Sequence, residues 1–169
     1  LDEEGQSLNW PENLPDFSKV NQLTMVACGT AFYACLTAKY WFEQVARLPV
    51  EVDIASEFRY REPPVSPKTA ALFVSQSGET ADTLAALRYM TGKAAHVLSV
   101  VNVPESSIAR ESDVALPIHA GVEIGVASTK AFTCQLTVLL LLALKAAHDR
   151  GEIDDDALED KVSALRALP

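Results

Sequence analysis

Hydroxyl side chains and glycine are concentrated in three short segments of the 169-residue chain. The segments are Cys28-Gly29-Thr30, Ser75-Gln76-Ser77-Gly78-Glu79-Thr80 and Gly125-Val126-Ala127-Ser128-Thr129. Hydroxyl groups donate hydrogen bonds to anionic oxygens, and glycine lets the backbone turn close to a ligand. Where such a segment leads into a helix, the free N–H groups and partial positive charge of the helix N-terminus favour an anion. The three segments are therefore candidates for holding a phosphate group without a lysine.

The middle segment carries the most information. Ser75, Ser77 and Thr80 supply three hydroxyl groups, Gly78 permits a tight turn close to a ligand, and a helix is predicted to begin near Thr80. The alternative interpretation is that serine and threonine at a strand–helix junction are N-caps with a purely structural role. Convergence of three such segments at one sheet edge favours the ligand, but both interpretations stay open.

Other chemistries have weaker support. The first predicted strand is not followed by G-x-G-x-x-G, and the chain contains no G-x-x-x-x-G-K-[ST], which argues against a dinucleotide or a nucleoside triphosphate. Ser75 stands where a nucleophile elbow, G-x-S-x-G, needs its first glycine. The three histidines are scattered and indicate no catalytic grouping. Glu79 and Glu123 border the segments and could act as acid or base, or could simply be surface carboxylates.

Alternating apolar and amphipathic stretches predict the elements that position these segments. Strands are predicted at 23–27, 50–54, 70–74, 96–101 and 113–118, and helices at 31–46, around 56–58, on the face of Leu84, Leu87 and Met90, at 128–147 and at 156–168. This alternation, with apolar strands, is typical of a parallel sheet covered by helices on both faces. Ligands of such sheets bind at the carboxyl ends of the strands.

Composition indicates one globular domain and excludes some partners. Hydrophobic residues make up 49% of the chain and charged residues 22%, with a net charge of −9. This charge argues against nucleic acid and anionic membranes as partners. It lies mostly in the flanks, with −4 in residues 1–19, −4 in residues 146–169 and −1 between them.

Cysteine content and apolar stretches bear on the compartment. The three cysteines, Cys28, Cys35 and Cys134, show no C-x-x-C spacing, so neither a disulfide framework nor a zinc site is indicated. Cys35 and Cys134 lie in apolar helical patterns and are predicted to be buried. The longest near-apolar stretch, 136–144, has nine residues, about half of a membrane span. With no secretory signal visible, a cytoplasmic location is expected.

Four segments, residues 28–30, 56–60, 75–83 and 123–133, together resemble the sugar isomerase (SIS) family. The similarity runs from about residue 23 to residue 147. It is closest to the first SIS domain of members that transfer ammonia from glutamine to fructose-6-phosphate. The resemblance implies an α/β fold, specifically a three-layer α/β/α sandwich with a five-stranded parallel sheet of the flavodoxin-like kind.

The resemblance also implies a set of site residues. Positions that hold the sugar phosphate in the family match Ser75, Gln76, Ser77 and Thr80. The remainder of the sugar pocket matches Cys28, Gly29, Thr30, Val126, Ala127 and Ser128. The family usually has serine after Cys-Gly-Thr, whereas this chain has Ala31, which removes one hydroxyl group from the pocket. No metal, nicotinamide or pyridoxal cofactor is implied.

The implied organisation is an N-terminal linker at 1–21, an SIS domain at 22–148 and an acidic C-terminal linker or helix at 149–169. Because the chain begins at Leu1, it is expected to be part of a longer protein with a glutaminase domain and a second SIS domain. Those absent segments are expected to supply the catalytic groups, so this chain alone would bind sugar phosphate weakly or not at all. A homodimer is also expected. The alternatives are a stand-alone phosphosugar isomerase and a non-catalytic phosphosugar sensor.

Overall fold

The computed structural model describes residues 8–124 and 128–168. The strands in this part of the chain are β1 (Gln22–Ala27), β2 (Val50–Ile54), β3 (Thr69–Ser75), β4 (His96–Val101) and β5 (Val114–Pro117). The α-helices are α1 (Gly29–Val45), α2 (Ala55–Arg61), α3 (Ala81–Met90), α4 (Ser107–Glu111), α5 (Lys130–Asp149) and α6 (Asp155–Arg166). A short 3₁₀ helix at Phe17–Lys19 precedes β1.

The strands form one parallel sheet in the order β2-β1-β3-β4-β5. Side chains alternate between its faces, so Met25 points into the core shared with α1 and α5, whereas Val26 points into the core on the other face. Helices α2, α3 and α4 cover that second face. Because both faces are covered, the strands are apolar along their length. The predicted three-layer α/β/α sandwich with a five-stranded parallel sheet is confirmed.

The element boundaries differ from the predicted ones by up to three residues, with two further differences. Helix α4 was not predicted, because five residues are too short to show a helical period. Cys134 is only partly buried, so the prediction of a buried side chain was wrong for it. It lies beside the buried stripe of α5, whereas Cys35 is fully buried and its burial raises the pKa of the thiol.

Helix α5 is the longest helix of the described residues, at 20 residues. By length and composition it could cross a membrane. Its stripe of Ala131, Gln135, Leu139 and Leu142 is nevertheless buried, and the helix packs along α1 against the sheet. This is the packing of a core helix in an α/β domain.

Arg150, directly after α5, joins three parts of the chain at the amino edge of the sheet. Its guanidinium donates hydrogen bonds to the carbonyls of Phe17, Val20, Ala46 and Arg47, at 2.7–3.2 Å. The side chains of Phe17 and Val20 are themselves in the core. One guanidinium therefore links the segment before β1, the segment after α1 and the end of α5.

Candidate functional site

The strand order creates a crevice between the carboxyl ends of β1 and β3. These strands are neighbours, but α1 follows β1 on one face of the sheet and α3 follows β3 on the other. Ligands of open α/β sheets bind at such a switch point. A cavity of about 270 Å³ lies here, lined by Cys28, Thr30, Ala31, Val74, Ser75, Gln76, Ser77, Thr80, Glu123, Ser128 and Gln135.

The structure brings most of the predicted site residues into this one cavity. Those in its lining are Cys28, Thr30, Ser75, Gln76, Ser77, Thr80 and Ser128. Gly29 is the first residue of α1 and is exposed, but it is not part of the lining. Val126 and Ala127 lie outside the described residues. The expected convergence of the hydroxyl-bearing segments therefore holds for their described parts.

Ser75 holds the shape of the loop between β3 and α3. Its side chain is 3% exposed, and its Oγ accepts a hydrogen bond from the Gly78 N–H at 3.0 Å. The same oxygen lies 3.1 Å from Oγ1 of Thr80. These two contacts give Ser75 a structural role in shaping the loop, although it caps no helix.

Thr80 and Ser77 make fewer structural hydrogen bonds that would keep their hydroxyl groups from a ligand. Thr80 is the N-cap residue of α3, but its side chain makes no capping hydrogen bond to the helix. Ser77 is exposed, and its Oγ accepts the Glu79 N–H at 3.2 Å. That leaves the Ser77 hydroxyl proton available to a ligand. Cys28 likewise precedes α1 without capping it, so two helices present N-termini without side-chain caps to the cavity.

Gly78 is required by the geometry of the loop itself. Its φ of +67° lies in the left-handed region, which confirms the predicted tight turn. A Cβ at this position would lie 2.0 Å from Oγ of Ser106, so Gly78 faces Ser106 and is not in the cavity lining. Ser106 sits before α4, which the sequence did not reveal.

The two candidate acid–base residues are both engaged at helix N-termini. Glu79 accepts the N–H of Ser107, at the start of α4, at 2.7 Å, and this bond lowers the pKa of its carboxyl. Glu123 accepts the N–H of Thr129 at 2.9 Å and that of Ala131 at 3.4 Å. These bonds, led by Thr129, lower its pKa as well. A carboxylate held ionised in this way is a weak base, so the geometry supports helix capping for both.

The cavity is polar without being basic. Within the described residues, Glu123 is the only charged side chain in its lining, and no lysine, arginine or histidine takes part. Groups of three or more metal-ligating side chains were not found in the part of the chain that the structure describes. Anion binding would therefore depend on hydroxyl groups and helix N-termini.

Two features of the surface were not anticipated. Gln135 lines the cavity although it was not among the predicted site residues. A lone amide in the apolar stripe of α5 was the signal that could have found it.

A larger cavity of about 460 Å³ lies between α5, α6 and residues near Trp10. It is remote from the carboxyl edge of the sheet, so we assign the candidate site to the smaller cavity.

These features define a class of protein: a parallel α/β domain with a hydroxyl-lined cavity at the switch point of its sheet. A profile of the SIS domain matches residues 16–145, and the chain belongs to the SIS family. The resemblance seen in the sequence is thereby confirmed.

The relatives in this family are more specific. The chain is 62% identical over 154 residues to the glutamine–fructose-6-phosphate aminotransferase (isomerizing) of Brucella abortus biovar 1 (strain 9-941), a match that covers 91% of this chain and 25% of the relative. It is 57% identical over 165 residues to the protein of the same name from Bradyrhizobium diazoefficiens, covering 97% and 27%. The chain therefore spans about a quarter of these curated relatives.

A solved structure agrees with both comparisons. The C-terminal domain of glucosamine-fructose-6-phosphate aminotransferase from Francisella tularensis superposes with a TM-score of 0.86 at 45% sequence identity. The match covers 89% of this chain and 43% of that one. The fold and this relationship are thus supported by a structure as well as by sequence.

Proposed function

We propose that this chain is the fructose-6-phosphate-binding SIS domain of a glutamine–fructose-6-phosphate aminotransferase (isomerizing). The whole enzyme would make glucosamine-6-phosphate for amino-sugar (UDP-N-acetylglucosamine) biosynthesis. The observation that carries the proposal is the 62% identity across 91% of this chain. The hydroxyl-lined cavity at the sheet switch point supports it independently of the identity.

In this proposal the phosphate group lies against the loop from Ser75 to Thr80. The uncapped N-terminus of α3 supplies backbone N–H groups and a partial positive charge, and Ser77 supplies a hydroxyl proton. The sugar extends towards Cys28, Thr30 and Ser128. Gly29, Val126 and Ala127 complete the proposed set of binding residues.

The acid–base chemistry would come from outside this chain. A stand-alone isomerase would need Glu79 or Glu123 as its base, and the lowered pKa of each carboxyl weighs against that alternative. The proposal therefore assigns ammonia release to a glutaminase domain and the isomerisation groups to a second SIS domain. This chain contributes substrate binding and no catalytic residue.

The proposed setting follows from the same assignment. The enzyme would act in the cytoplasm as a homodimer, with sugar phosphates as its small-molecule partners. The net charge of −9 weighs against nucleic acid and anionic lipid as additional partners.

Calorimetry on the intact parent chain tests the proposal. Fructose-6-phosphate should bind, inorganic phosphate should compete with it, and unphosphorylated fructose should bind far more weakly. In nuclear magnetic resonance spectra of the 169-residue chain, saturating ligand should shift amides of the Ser75–Thr80 loop and the start of α3. An intact parent that does not bind fructose-6-phosphate, or spectral shifts confined to other surfaces, would contradict the proposal.

A further inference from the structure

Gln135 is a buried amide with an unsatisfied acceptor at the wall of the cavity. Its side chain is 1% exposed, and it belongs to the cavity lining. Within the described part of the chain, its Oε1 has no hydrogen-bond partner. Buried polar atoms in folded proteins are paired with few exceptions, so this unpaired oxygen requires an explanation.

The position of Gln135 in α5 makes its unpaired amide oxygen still more in need of an explanation. Ala131 and Leu139, one turn to either side, are fully buried apolar residues. An apolar residue at position 135 would continue the stripe and would avoid the cost of burying an unpaired amide oxygen. Other buried side-chain oxygens without partners belong to Thr69, Thr83, Ser99 and Ser106. None of these four lines the cavity.

The chemistry of Oε1 of Gln135 limits which groups can form a hydrogen bond with it. An amide oxygen accepts hydrogen bonds and cannot donate them. A phosphate dianion carries acceptors alone, so it cannot pair with Oε1 of Gln135. A sugar hydroxyl donates a proton and can. The carboxylate of Glu123 also lies in the lining near α5 and repels a phosphate from that side.

We propose that the side-chain amide of Gln135 turns towards the cavity when the sugar binds, so that its Oε1 accepts a hydrogen bond from a hydroxyl group of the sugar. The cavity then has two chemically distinct ends. The phosphate lies at the N-terminus of α3, and the sugar hydroxyl lies at Gln135 on α5. This inference rests on the proposed function, because it takes a sugar phosphate as the ligand, and it adds a residue that senses the hydroxyl groups of that ligand.

Replacement of Gln135 by leucine in the intact parent chain tests this contact. Gln135→Leu should weaken fructose-6-phosphate binding roughly 3- to 10-fold, the effect of losing one neutral hydrogen bond, and should leave inorganic phosphate binding unchanged. Ser77→Ala should weaken both. Gln135→Met, which keeps the unbranched shape of the side chain, should behave as Gln135→Leu does and replaces it if the branched residue does not fit.

Ser99→Ala is the matched control, since Ser99 is buried with an unpaired Oγ but lies outside the cavity lining. It should leave the binding of both ligands unchanged. A purely structural role for Gln135 would give the same result for Gln135→Leu. Unchanged fructose-6-phosphate affinity in the leucine and methionine variants would therefore overturn the inference, as would an equal loss for phosphate.

Deoxy analogues identify the hydroxyl group. Among fructose-6-phosphate analogues that each lack one hydroxyl, one should bind the unsubstituted protein less tightly and lose no further affinity in Gln135→Leu. Independent losses for every analogue would overturn the inference. If the unsubstituted parent bound neither fructose-6-phosphate nor phosphate, the proposed function would fail, and the inference with it. If it bound both, and only the Gln135 tests failed, the proposed function would stand.

Discussion

Gly78 and Ser106 approach so closely that no side chain fits between them. A Cβ on Gly78 would lie 2.0 Å from Oγ and 2.4 Å from Cβ of Ser106. The N–H of Ile108 also donates to the Gly78 carbonyl at 3.0 Å. The loop that follows β3 is therefore held against the start of α4, and this contact fixes where Ser77 and Thr80 stand.

We expect Gly78→Ala to lower the free energy of unfolding by about 2–4 kcal/mol. Roughly 1 kcal/mol comes from the left-handed backbone and the rest from overpacking against Ser106. Gly92→Ala is the control, because Gly92 has a φ of +76° and open space around its Cβ position. Denaturant unfolding of the two variants separates the backbone contribution from the overpacking contribution. Equal losses would show that the contact with Ser106 has no energetic consequence.

Ser77→Ala tests the proposed phosphate contact. Loss of one hydrogen bond to a charged group should cost ~1.5–3 kcal/mol of binding free energy, or roughly 10- to 150-fold in fructose-6-phosphate affinity, by calorimetry on the intact parent chain. Ser66→Ala is a matched control, since Ser66 also accepts an N–H two residues along the chain, that of Lys68, away from the cavity. Unchanged affinity in Ser77→Ala would contradict the phosphate assignment.

Glu123 should make stability depend on pH in the acid range. Hydrogen bonds from the start of α5 lower its pKa below the usual 4.5, so the ionised form favours folding. This contribution is complete above the pKa of the unfolded chain and is lost as the pH falls through the folded pKa. Glu123→Gln should therefore be less stable than the unsubstituted chain at neutral pH, and the difference should shrink below about pH 4.5. Thermal unfolding across pH measures this. A difference that is constant with pH would argue against a charge effect.

Removal of the Arg150 side chain should destabilise the domain. Arg150→Ala leaves the carbonyls of Phe17, Val20, Ala46 and Arg47 without a charged donor, and we expect a loss of about 2–4 kcal/mol. Arg150→Lys should recover little, because an ammonium cannot reproduce the planar fork of donors. Arg166→Ala, at an exposed position in α6, should stay within about 0.5 kcal/mol in denaturant unfolding. Full stability of Arg150→Lys would show that charge alone suffices.

The 169-residue chain by itself should form no glucosamine-6-phosphate from fructose-6-phosphate and ammonia. The proposed function places the isomerisation groups outside it, and its own Glu79 and Glu123 are held as helix caps. A coupled assay for glucosamine-6-phosphate measures this, with the intact parent as the positive control. Product from the short chain would require a base within it, and Glu79→Gln and Glu123→Gln would then identify which one.

The sheet and its order of elements were predictable because apolar strands and amphipathic helices leave strong local patterns. The segments after β1 and β3 were predictable for the same reason, since each follows a recognisable strand. Helix α4 was not, because five residues carry no period. The contact between Gly78 and Ser106 therefore could not be foreseen.

The roles of the carboxylates also depend on tertiary contacts. Glu79 meets Ser107, 28 residues further along the chain, and no local pattern encodes that distance. Gln135 is the opposite case. An amide between Ala131 and Leu139 on an apolar helix face was visible in the sequence, but only the folded structure shows that it is buried in the wall of the cavity.

Arg150 has a mechanical consequence. Its guanidinium holds carbonyls that precede β1 and carbonyls that follow α1, while its own backbone ends α5. A pulling force applied at residue 16 or at residue 151 would thus meet the same cation before it reached any strand. The sheet edge that carries the cavity would be shielded from tension on either flank, and the domain would transmit that tension from one flank to the other as a rigid link.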